Sequence, residues 1–250
     1  MELINFRDIG GITTRLGKIK EKRLLRSGEL FQLSDADAKT LEYEYNLKLI
    51  LDLRSPNEYS KRPDVEINGA RYLNLDIMRD LTDDNTGFET VLTQLDLNIV
   101  DEHMKDVYRK IITDHNASLE YCRFMNEIAN LEEGSALFHC YAGKDRTGFG
   151  ATLLLDTLGA SKDVIYVDYM MTNTMREEAN TVICNDAAQK YNLSASQTEA
   201  LRQFLLVKES YIDEAYRVID ELFGSIENYI IKGLGVMPET LEKIRVNYLD

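Results

Sequence analysis

The sequence predicts an α/β fold, in which a central and mostly parallel sheet is flanked by helices and followed by a helical C-terminal part. Short apolar runs at Leu47–Arg54, Ala70–Leu75 and Ser135–Cys140 have the length and composition of buried strands. Helical patterns lie between these runs, and only helical patterns follow Gly159. Alternation of strand and helix is typical of a parallel sheet with helical crossovers, which gives the fold class.

A single domain is expected for the whole chain, residues 1–250. The sequence is 44% hydrophobic, and its apolar residues are spread along the entire length, so a sizeable core is available. We expect about residues 1–160 to form the α/β catalytic core and about residues 161–250 to form a helical cover packed on it, because no linker separates the two parts.

The first half of the chain alternates between helix and strand signals. A capping pattern at Ser34 predicts a helix that runs to Asn46, just before the first apolar run. The segment Ser55–Asp64 is interpreted as a loop, because it contains two of the three prolines of the chain. The acidic segment Arg79–Gly87 is expected to be a solvated turn, since it lacks the ligand spacing of a calcium site.

Helices are expected throughout the second half. The segment Phe149–Gly159 is apolar on nearly all sides and predicts a buried helix that ends at its glycine. Ser196 and Glu199 have the spacing of a capping box. The remaining helical patterns lie at Ala200–Glu209, Tyr211–Gly224, Ser225–Gly235 and Pro238–Leu249.

Charge and cysteine usage limit the possible partners. The formal net charge is −14, which argues against general affinity for nucleic acid or for an anionic membrane surface. No apolar run approaches the roughly 20 residues that a membrane span needs. The N-terminus has no pattern of a signal peptide, so a cytoplasmic location is expected, with secretion of a trimmed precursor left open. The three scattered cysteines predict neither disulfides nor a metal site, and no cofactor is expected.

The stretch HCYAGKDRTG, His139–Gly148, carries the chemistry. A strand ends at Cys140, and after a short loop a helix begins near Thr147. Gly143 allows a tight turn in which successive N–H groups point inward, and the helix N-terminus adds partial positive charge. Arg146 can add a two-pronged contact to oxygens. Such a cradle binds a tetrahedral oxyanion, and its positive field favours a thiolate at Cys140, a nucleophile aimed at phosphorus.

This stretch resembles the HCxxGxxR[ST] loop of the cysteine-dependent phosphatases. Its fuller form, HCxxGKDRTG, is similar to that of the bacterial atypical tyrosine and phosphoinositide phosphatases. The resemblance covers nearly the whole chain and implies a phosphotyrosine-phosphatase-like fold. The flanking blocks that carry it are Asn5–Gly11, Leu24–Leu30, Leu51–Tyr59, Asp168–Asn173 and Gly224–Gly235.

The resemblance implies a role for each residue that matches the motif. Cys140 would attack phosphorus and form a phosphocysteine, and Arg146 would hold the equatorial oxygens. Thr147 would hydrogen-bond the sulfur and help it to leave, and His139 would orient the loop. The substrate phosphate, or another oxyanion, would be bound by the residues of the loop, which are Tyr141, Ala142, Gly143, Lys144, Asp145 and Arg146.

Two aspartates are candidates for the general acid that protonates the leaving oxygen. The chain has no tryptophan, so the WPD acid loop of the wider superfamily is absent in its usual form. Asp145 lies within the phosphate loop, as in the myotubularin-like lipid phosphatases. Asp76 lies just after a predicted strand, where a movable acid loop would be placed. The sequence leaves both open.

Lys144 is informative about the substrate, because the resemblance associates this lysine with phosphoinositide hydrolysis. Activity on phosphotyrosine proteins, and dual specificity for phosphoserine or phosphothreonine, are also implied. Arg7 and Arg54 are expected to support the loop or to pair with Asp8 and Asp52. The helical segment from about residue 174 to residue 203 is expected either to form a lid over the pocket or simply to pack on the sheet.

Two other functions are compatible with a loop cysteine. A non-catalytic phosphate-binding module would require the loss of Cys140 or Arg146, and both are present. A loop-cysteine arsenate reductase or sulfurtransferase usually needs a resolving cysteine. Cys122 and Cys184 are distant in sequence, although folding can bring one of them close.

Overall fold

The computed structural model describes residues 2–79 and 96–250, and its centre is a five-stranded sheet with the strand order β1-β2-β5-β3-β4. β1 is antiparallel to β2, and all other neighbours are parallel, which confirms the predicted α/β class. All three predicted strands are present. The strands are β1 (Arg7–Asp8), β2 (Leu24–Ser27), β3 (Leu47–Asp52), β4 (Arg71–Asn74) and β5 (Ser135–His139).

Helices flank the sheet and make up the described C-terminal part. In the described chain they are α1 (Asp35–Lys39), α2 (Pro56–Lys61), α3 (Val100–Thr113), α4 (His115–Ala129), α5 (Arg146–Thr157), α6 (Lys162–Met175), α7 (Glu177–Tyr191), α8 (Ala195–Leu205), α9 (Glu209–Phe223), α10 (Ile226–Asn228) and α11 (Pro238–Tyr248). Wider π-helical turns extend α1 over Thr40–Glu44 and α10 over Tyr229–Gly233.

The sheet is covered on both faces, because its side chains alternate between two apolar clusters. On one face, Phe138 packs edge-to-face on Phe124 of α4, with ring centroids 5.3 Å apart. Phe149 of α5 packs on Tyr121 in the same way, at 5.3 Å. Each such pair contributes about 0.5–1.5 kcal/mol beyond its burial. On the other face, Leu137 belongs to a smaller cluster with residues from the segment around α1.

The four parallel strands end in one row, and this row positions the site. Ser27 and Asp52 are the partners of His139 in the two neighbouring strands, and Asp52 is in turn paired with Asn74. Carboxyl ends of parallel strands therefore meet at one edge of the sheet, with Cys140 directly after the central strand. Such an edge is where open α/β sheets place their ligands.

The C-terminal helices pack around the helices of the α/β part. α9 packs along α3, α11 packs against α4, and the pair α7 and α8 contacts α3 through α8. The main apolar cluster contains residues from both parts. Helix α5 is buried and is followed by Gly159 in the left-handed conformation (φ 82°), as predicted.

Three local expectations need correction or lie outside the described chain. Ser55–Asp64 is not simply a loop, since it contains α2, which begins at Pro56, where a proline has no N–H to lose. The capping box of α8 is formed by Ser194 and Gln197, not by the pair predicted two residues later. The expected turn at Arg79–Gly87 falls outside the described residues from residue 80 onward.

No helix within residues 2–79 and 96–250 is long and apolar enough to cross a membrane.

Candidate active site

Cys140 lies at the base of a loop that links the end of β5 to the start of α5. The residue is only 2% exposed, and α5 begins at Arg146. Gly143 has φ 68°, and a Cβ at this position would lie 2.3 Å from the carbonyl oxygen of Ser27. Only glycine therefore allows the loop to turn against the end of β2.

Side chains from outside hold two successive carbonyls of this loop. Asn5 Nδ2 donates to the carbonyl oxygens of Ala142 (3.2 Å) and Gly143 (2.9 Å), and Arg26 Nη2 also donates to Gly143 O (2.9 Å). In a trans peptide the C=O and the following N–H point in opposite directions. The N–H groups of Gly143 and Lys144 are therefore directed away from these donors, as an anion-binding loop requires.

A buried carboxylate holds these donors in place. Asp168 of α6 pairs with Arg7 (Nε–Oδ1 2.7 Å) and with Arg26, while Arg7 Nη1 donates to Asn5 Oδ1 (2.6 Å). Burial raises the pKa of Asp168, but the charges of Arg26 and Arg7 outweigh burial and hold it below its ordinary value. Of the two roles expected for Arg7, pairing with Asp8 is wrong, because Asp8 accepts instead from backbone N–H groups, whereas support of the loop agrees with its contacts to Asn5 and Asp168.

Arg146 is held by Glu58 through two hydrogen bonds, from Nη1 to Oε2 (2.6 Å) and from Nη2 to Oε1 (2.8 Å). Glu58 is also part of the capping box of α2, together with Ser55. Burial alone would raise the pKa of Glu58, but Arg146 lowers it to about 2. The carboxylate thus stays ionised and fixes the plane of the guanidinium.

His139 is fully buried within a group of charged side chains behind the loop. Its Nε2 lies 3.0 Å from Asp64 Oδ2, and its Nδ1 lies 3.3 Å from Cys140 O. Burial lowers the pKa of His139, but Asp52 and Asp64 raise it above its ordinary value. Arg54 Nη2 lies 2.8 Å from Asp52 and 2.8 Å from Asp64, which confirms the expected Arg54–Asp52 pair. Because Arg54 and His139 both lie against the two carboxylates, the cluster is already occupied by cationic partners and does not fit a metal ion.

Lys144 and Asp145 connect the loop to the surrounding helices. Lys144 Nζ donates to Phe204 O (2.9 Å), at the end of α8, and lies 3.2 Å from Asp145 Oδ2. Asp145 Oδ1 accepts from the hydroxyl of Tyr108 (3.1 Å), which also contacts the hydroxyl of Tyr169 (2.7 Å). The side chains of Lys144 and Asp145 therefore both have partners, and the ammonium group of Lys144 points to the end of α8.

Asp76 lies two residues after β4 and is only 4% exposed. Its Oδ1 accepts from the N–H of Met78 at 3.2 Å. Burial raises the pKa of Asp76, while the Met78 amide and the charges of Arg79 and Arg146 act against this rise. A carboxyl group with a raised pKa, within electrostatic reach of Arg146, has the properties of a proton donor.

The sequence profile of a family described as the tyrosine phosphatase family matches residues 1–250. The chain belongs to this family. It is similar to the triple specificity protein phosphatase PtpB of Mycobacterium tuberculosis, with 28% identity over 268 residues, 96% of this chain and 95% of that protein. It is also similar to a Cupriavidus necator protein whose name places it among the tyrosine-protein phosphatases, with 30% identity over 249 residues, 98% of this chain and 85% of that protein.

Two further predicted site residues of this phosphatase are Thr147, in the first turn of α5, and Tyr141, in the loop. The hydroxyl of Thr147 is buried without a hydrogen-bond partner in the described part of the chain, so the expected bond to the sulfur is not formed in this structure. Tyr141 is 43% exposed at the edge of the loop, and the guanidinium of Arg62 lies 5.7 Å from the centre of its ring.

Several residues that position the phosphatase loop were not predicted individually. Asn5, Arg26 and Asp168 lie in blocks that the family resemblance had marked, but without assigned roles. The Ser55–Glu58 capping-box spacing could have indicated an ordered helix there, although not its contact with Arg146. Arg176, which donates from Nη1 to Ala142 O at 2.9 Å, had no sequence signal.

Proposed function

We propose that this phosphatase hydrolyses phosphomonoesters through a phosphocysteine formed at Cys140. The observation that carries the proposal is the fixed shape of the loop. The carbonyls of Ala142 and Gly143 are held from outside, so that the opposite N–H groups, together with Arg146, can bind three phosphoryl oxygens above the sulfur.

The proposed reaction has two steps. In the first, the Cys140 thiolate attacks phosphorus, the P–S bond forms, the P–O ester bond breaks and an acid protonates the leaving oxygen. In the second, water attacks phosphorus while the same carboxylate removes its proton, and the P–S bond breaks to release phosphate and the thiolate. The hydroxyl of Thr147, which has no hydrogen-bond partner among the described residues, is the group that would hydrogen-bond the departing sulfur.

We assign the general acid to Asp76. Asp145 accepts a hydrogen bond from Tyr108 and lies 3.2 Å from the ammonium of Lys144, so both of its carboxylate oxygens already have partners. Asp76 is buried, and its raised pKa favours the protonated form that the first step needs. Asp145 would then position the loop at the start of α5.

The proposed substrates are phosphotyrosine proteins and phosphoinositides. The exposed ring of Tyr141 and the nearby cation of Arg62 support binding of an aromatic or polyanionic group at the edge of the loop. The Mycobacterium tuberculosis relative is named for triple specificity, which is compatible with a broad substrate range. A panel of phosphopeptides and phosphoinositides, assayed side by side, measures the preference. A cytoplasmic location stays a prediction from the sequence.

The alternative of thiol redox chemistry is not favoured by the other two cysteines. Burial raises the pKa of both Cys122 and Cys184, so neither thiol is activated as a resolving nucleophile. Cys184 belongs to the small apolar cluster between α7 and α8. A dithiol-dependent arsenate reduction assay, run beside the phosphatase assay, separates the two chemistries.

The variant Cys140→Ser tests the proposed function. We expect it to lose turnover of p-nitrophenyl phosphate and to retain affinity for inorganic phosphate, because the loop amides and Arg146 remain. Cys122→Ser is the matched control and should keep full activity. Activity of Cys140→Ser close to that of the unmodified chain would contradict the mechanism.

A further inference from the structure

Arg176 is a second arginine at the phosphate loop, and it comes from the helical cover. It lies between α6 and α7, is only 4% exposed, and donates from Nη1 to Ala142 O at 2.9 Å. Asn5 donates to the same oxygen from the N-terminal segment. The two side chains therefore fix one peptide of the loop, whose other end is the N–H of Gly143.

The charge of Arg176 has no carboxylate partner within 4.0 Å among the described residues, and its buried Nε has no hydrogen-bond partner there. This distinguishes it from the other cations that contact the loop or belong to it. Each of those cations forms an ion pair: Arg146 with Glu58, Arg26 with Asp168, and Lys144 with Asp145.

A buried and unpaired guanidinium costs free energy unless an anion compensates it. Burial lowers the pKa of Arg176, and the groups that act in the opposite direction are Cys140, Tyr141 and Asp145 of the phosphate loop and Glu29, whose N–H donates to Tyr141 O beside it. An arginine nevertheless stays protonated in proteins at neutral pH. The anion that compensates Arg176 is therefore to be sought at the loop.

We propose that Arg176 is a positioning residue that supplies uncompensated positive charge to the phosphate loop, where it stabilises the Cys140 thiolate and the bound phosphoryl group. This inference rests on the proposed function, because it takes Cys140 as the nucleophile. Arg176 acts through space and through the Ala142 peptide. Since it joins α6 to α7, the position of the helical cover then sets the charge at the nucleophile.

The other charged groups near Cys140 are partly neutralised. A negative charge on Cys140 acts to raise the pKa of Tyr121 on α4, of Arg146 on α5 and of Arg176. Glu58 offsets Arg146. The remaining charged groups around the loop are Asp145, Lys144, Glu29, Asp76 and, behind it, His139 with Asp52 and Asp64. Removal of Arg176 therefore removes a cation near the loop that has no ion-pair partner among the described residues, and thiolate formation should need a higher pH.

The test is the pH dependence of Cys140 alkylation by iodoacetamide, followed on the Cys140 peptide by mass spectrometry in phosphate-free buffer. We expect Arg176→Met to raise the midpoint of this profile by about one pH unit and to weaken inhibition by orthovanadate about tenfold. Arg176→Lys keeps the charge and should have the same midpoint as the unmodified chain. Arg202→Met, an exposed arginine paired with Glu199 on the same cover, is the control and should change neither quantity.

Arg176→Gln separates charge from hydrogen bonding, since its amide can still donate to Ala142 O. It should shift the midpoint as Arg176→Met does. If circular dichroism shows that Arg176→Met is not folded, Arg176→Gln takes its place in the test. An unchanged midpoint in a folded Gln or Met variant would overturn the proposal. Failure of the proposed function is distinguishable, because Cys140→Ser would then remain active whatever the result at Arg176.

Discussion

Glu58 and Arg146 face each other across two parallel hydrogen bonds, of 2.6 Å and 2.8 Å, although 88 residues separate them. The capping box of α2 orders the glutamate, and the glutamate orders the arginine of the phosphate loop. A short helix beside the loop thereby fixes the orientation of the guanidinium that we propose binds the phosphoryl group.

Glu58→Gln should therefore reduce activity without unfolding the chain. Loss of one charged hydrogen-bond partner lets the guanidinium move, and such a displacement costs about ten- to a hundredfold in kcat/KM. Steady-state kinetics with p-nitrophenyl phosphate measures the effect. Glu127→Gln, which loses an ion pair with Arg71 far from the loop, is the control. Equal kcat/KM in Glu58→Gln and the control would contradict this role.

The same pair predicts a pH dependence of stability. Glu58 has a pKa of about 2 in the fold and 4.5 as its ordinary value, so its stabilisation is present above pH 4.5 and is lost as the pH falls through about 2. The difference in Tm between the unmodified chain and Glu58→Gln should shrink over this window. Thermal unfolding at a series of pH values tests it, and a difference that grows in acid would count against the assignment.

Asp168 should be essential to both stability and oxyanion binding. Asp168→Asn leaves the buried guanidinium groups of Arg7 and Arg26 without their shared counter-ion, which costs about 3–5 kcal/mol. Inhibition by inorganic phosphate should weaken as well, because Arg26 and Asn5 would no longer hold the loop carbonyls. Chemical denaturation and inhibition assays measure the two effects. Asp186→Asn, an exposed position on α7, should change neither.

The dependence of the hydrolysis rate on the leaving group identifies the general acid. Asp76→Asn should lower kcat/KM, which reports the steps up to departure of the leaving group, by about 10²- to 10⁴-fold for phenyl phosphate and much less for p-nitrophenyl phosphate, because a good leaving group needs little protonation. Asp145→Asn should affect both substrates by similar factors. The reverse pattern between the two variants would assign the acid to Asp145.

The helical cover is expected to respond to an anion in the loop. Lys144 joins the loop to the end of α8, and Arg176 joins it to the start of α7. If α7 and α8 act as a lid, hydrogen exchange in residues 177–205 should slow when orthovanadate binds. Exchange in α11 is the internal control. Equal exchange with and without orthovanadate would favour simple packing over a lid.

The elements that the sequence predicted are those with a continuous apolar signal. The strand cores around Leu47–Asp52 and Ser135–His139, and the buried helix α5, all follow from such runs. β2 was missed because half of its four residues, Arg26 and Ser27, are polar although fully buried. Helix α2 was missed because its proline was interpreted as a breaker, whereas at a first helical turn it is tolerated.

The same contrast holds for the site. The local stretch from His139 to Thr147 indicated the anion cradle, because loop, glycine and helix N-terminus are adjacent in sequence. The groups that support it are distant. Asp168 contacts Arg7 across 161 residues, and Asn5 contacts Gly143 across 138 residues. Patterns of spacing do not encode such contacts, and only the folded chain places these groups together.

The central claim is that Cys140 becomes covalently phosphorylated during turnover. The most direct measurement is acid quenching of the Asp76→Asn variant during hydrolysis of p-nitrophenyl phosphate, followed by tandem mass spectrometry. In that variant the second step lacks its base, so the intermediate should accumulate. We predict phosphate on the peptide that contains Cys140. Continued turnover with no phosphorylated Cys140 at any quench time would contradict the account.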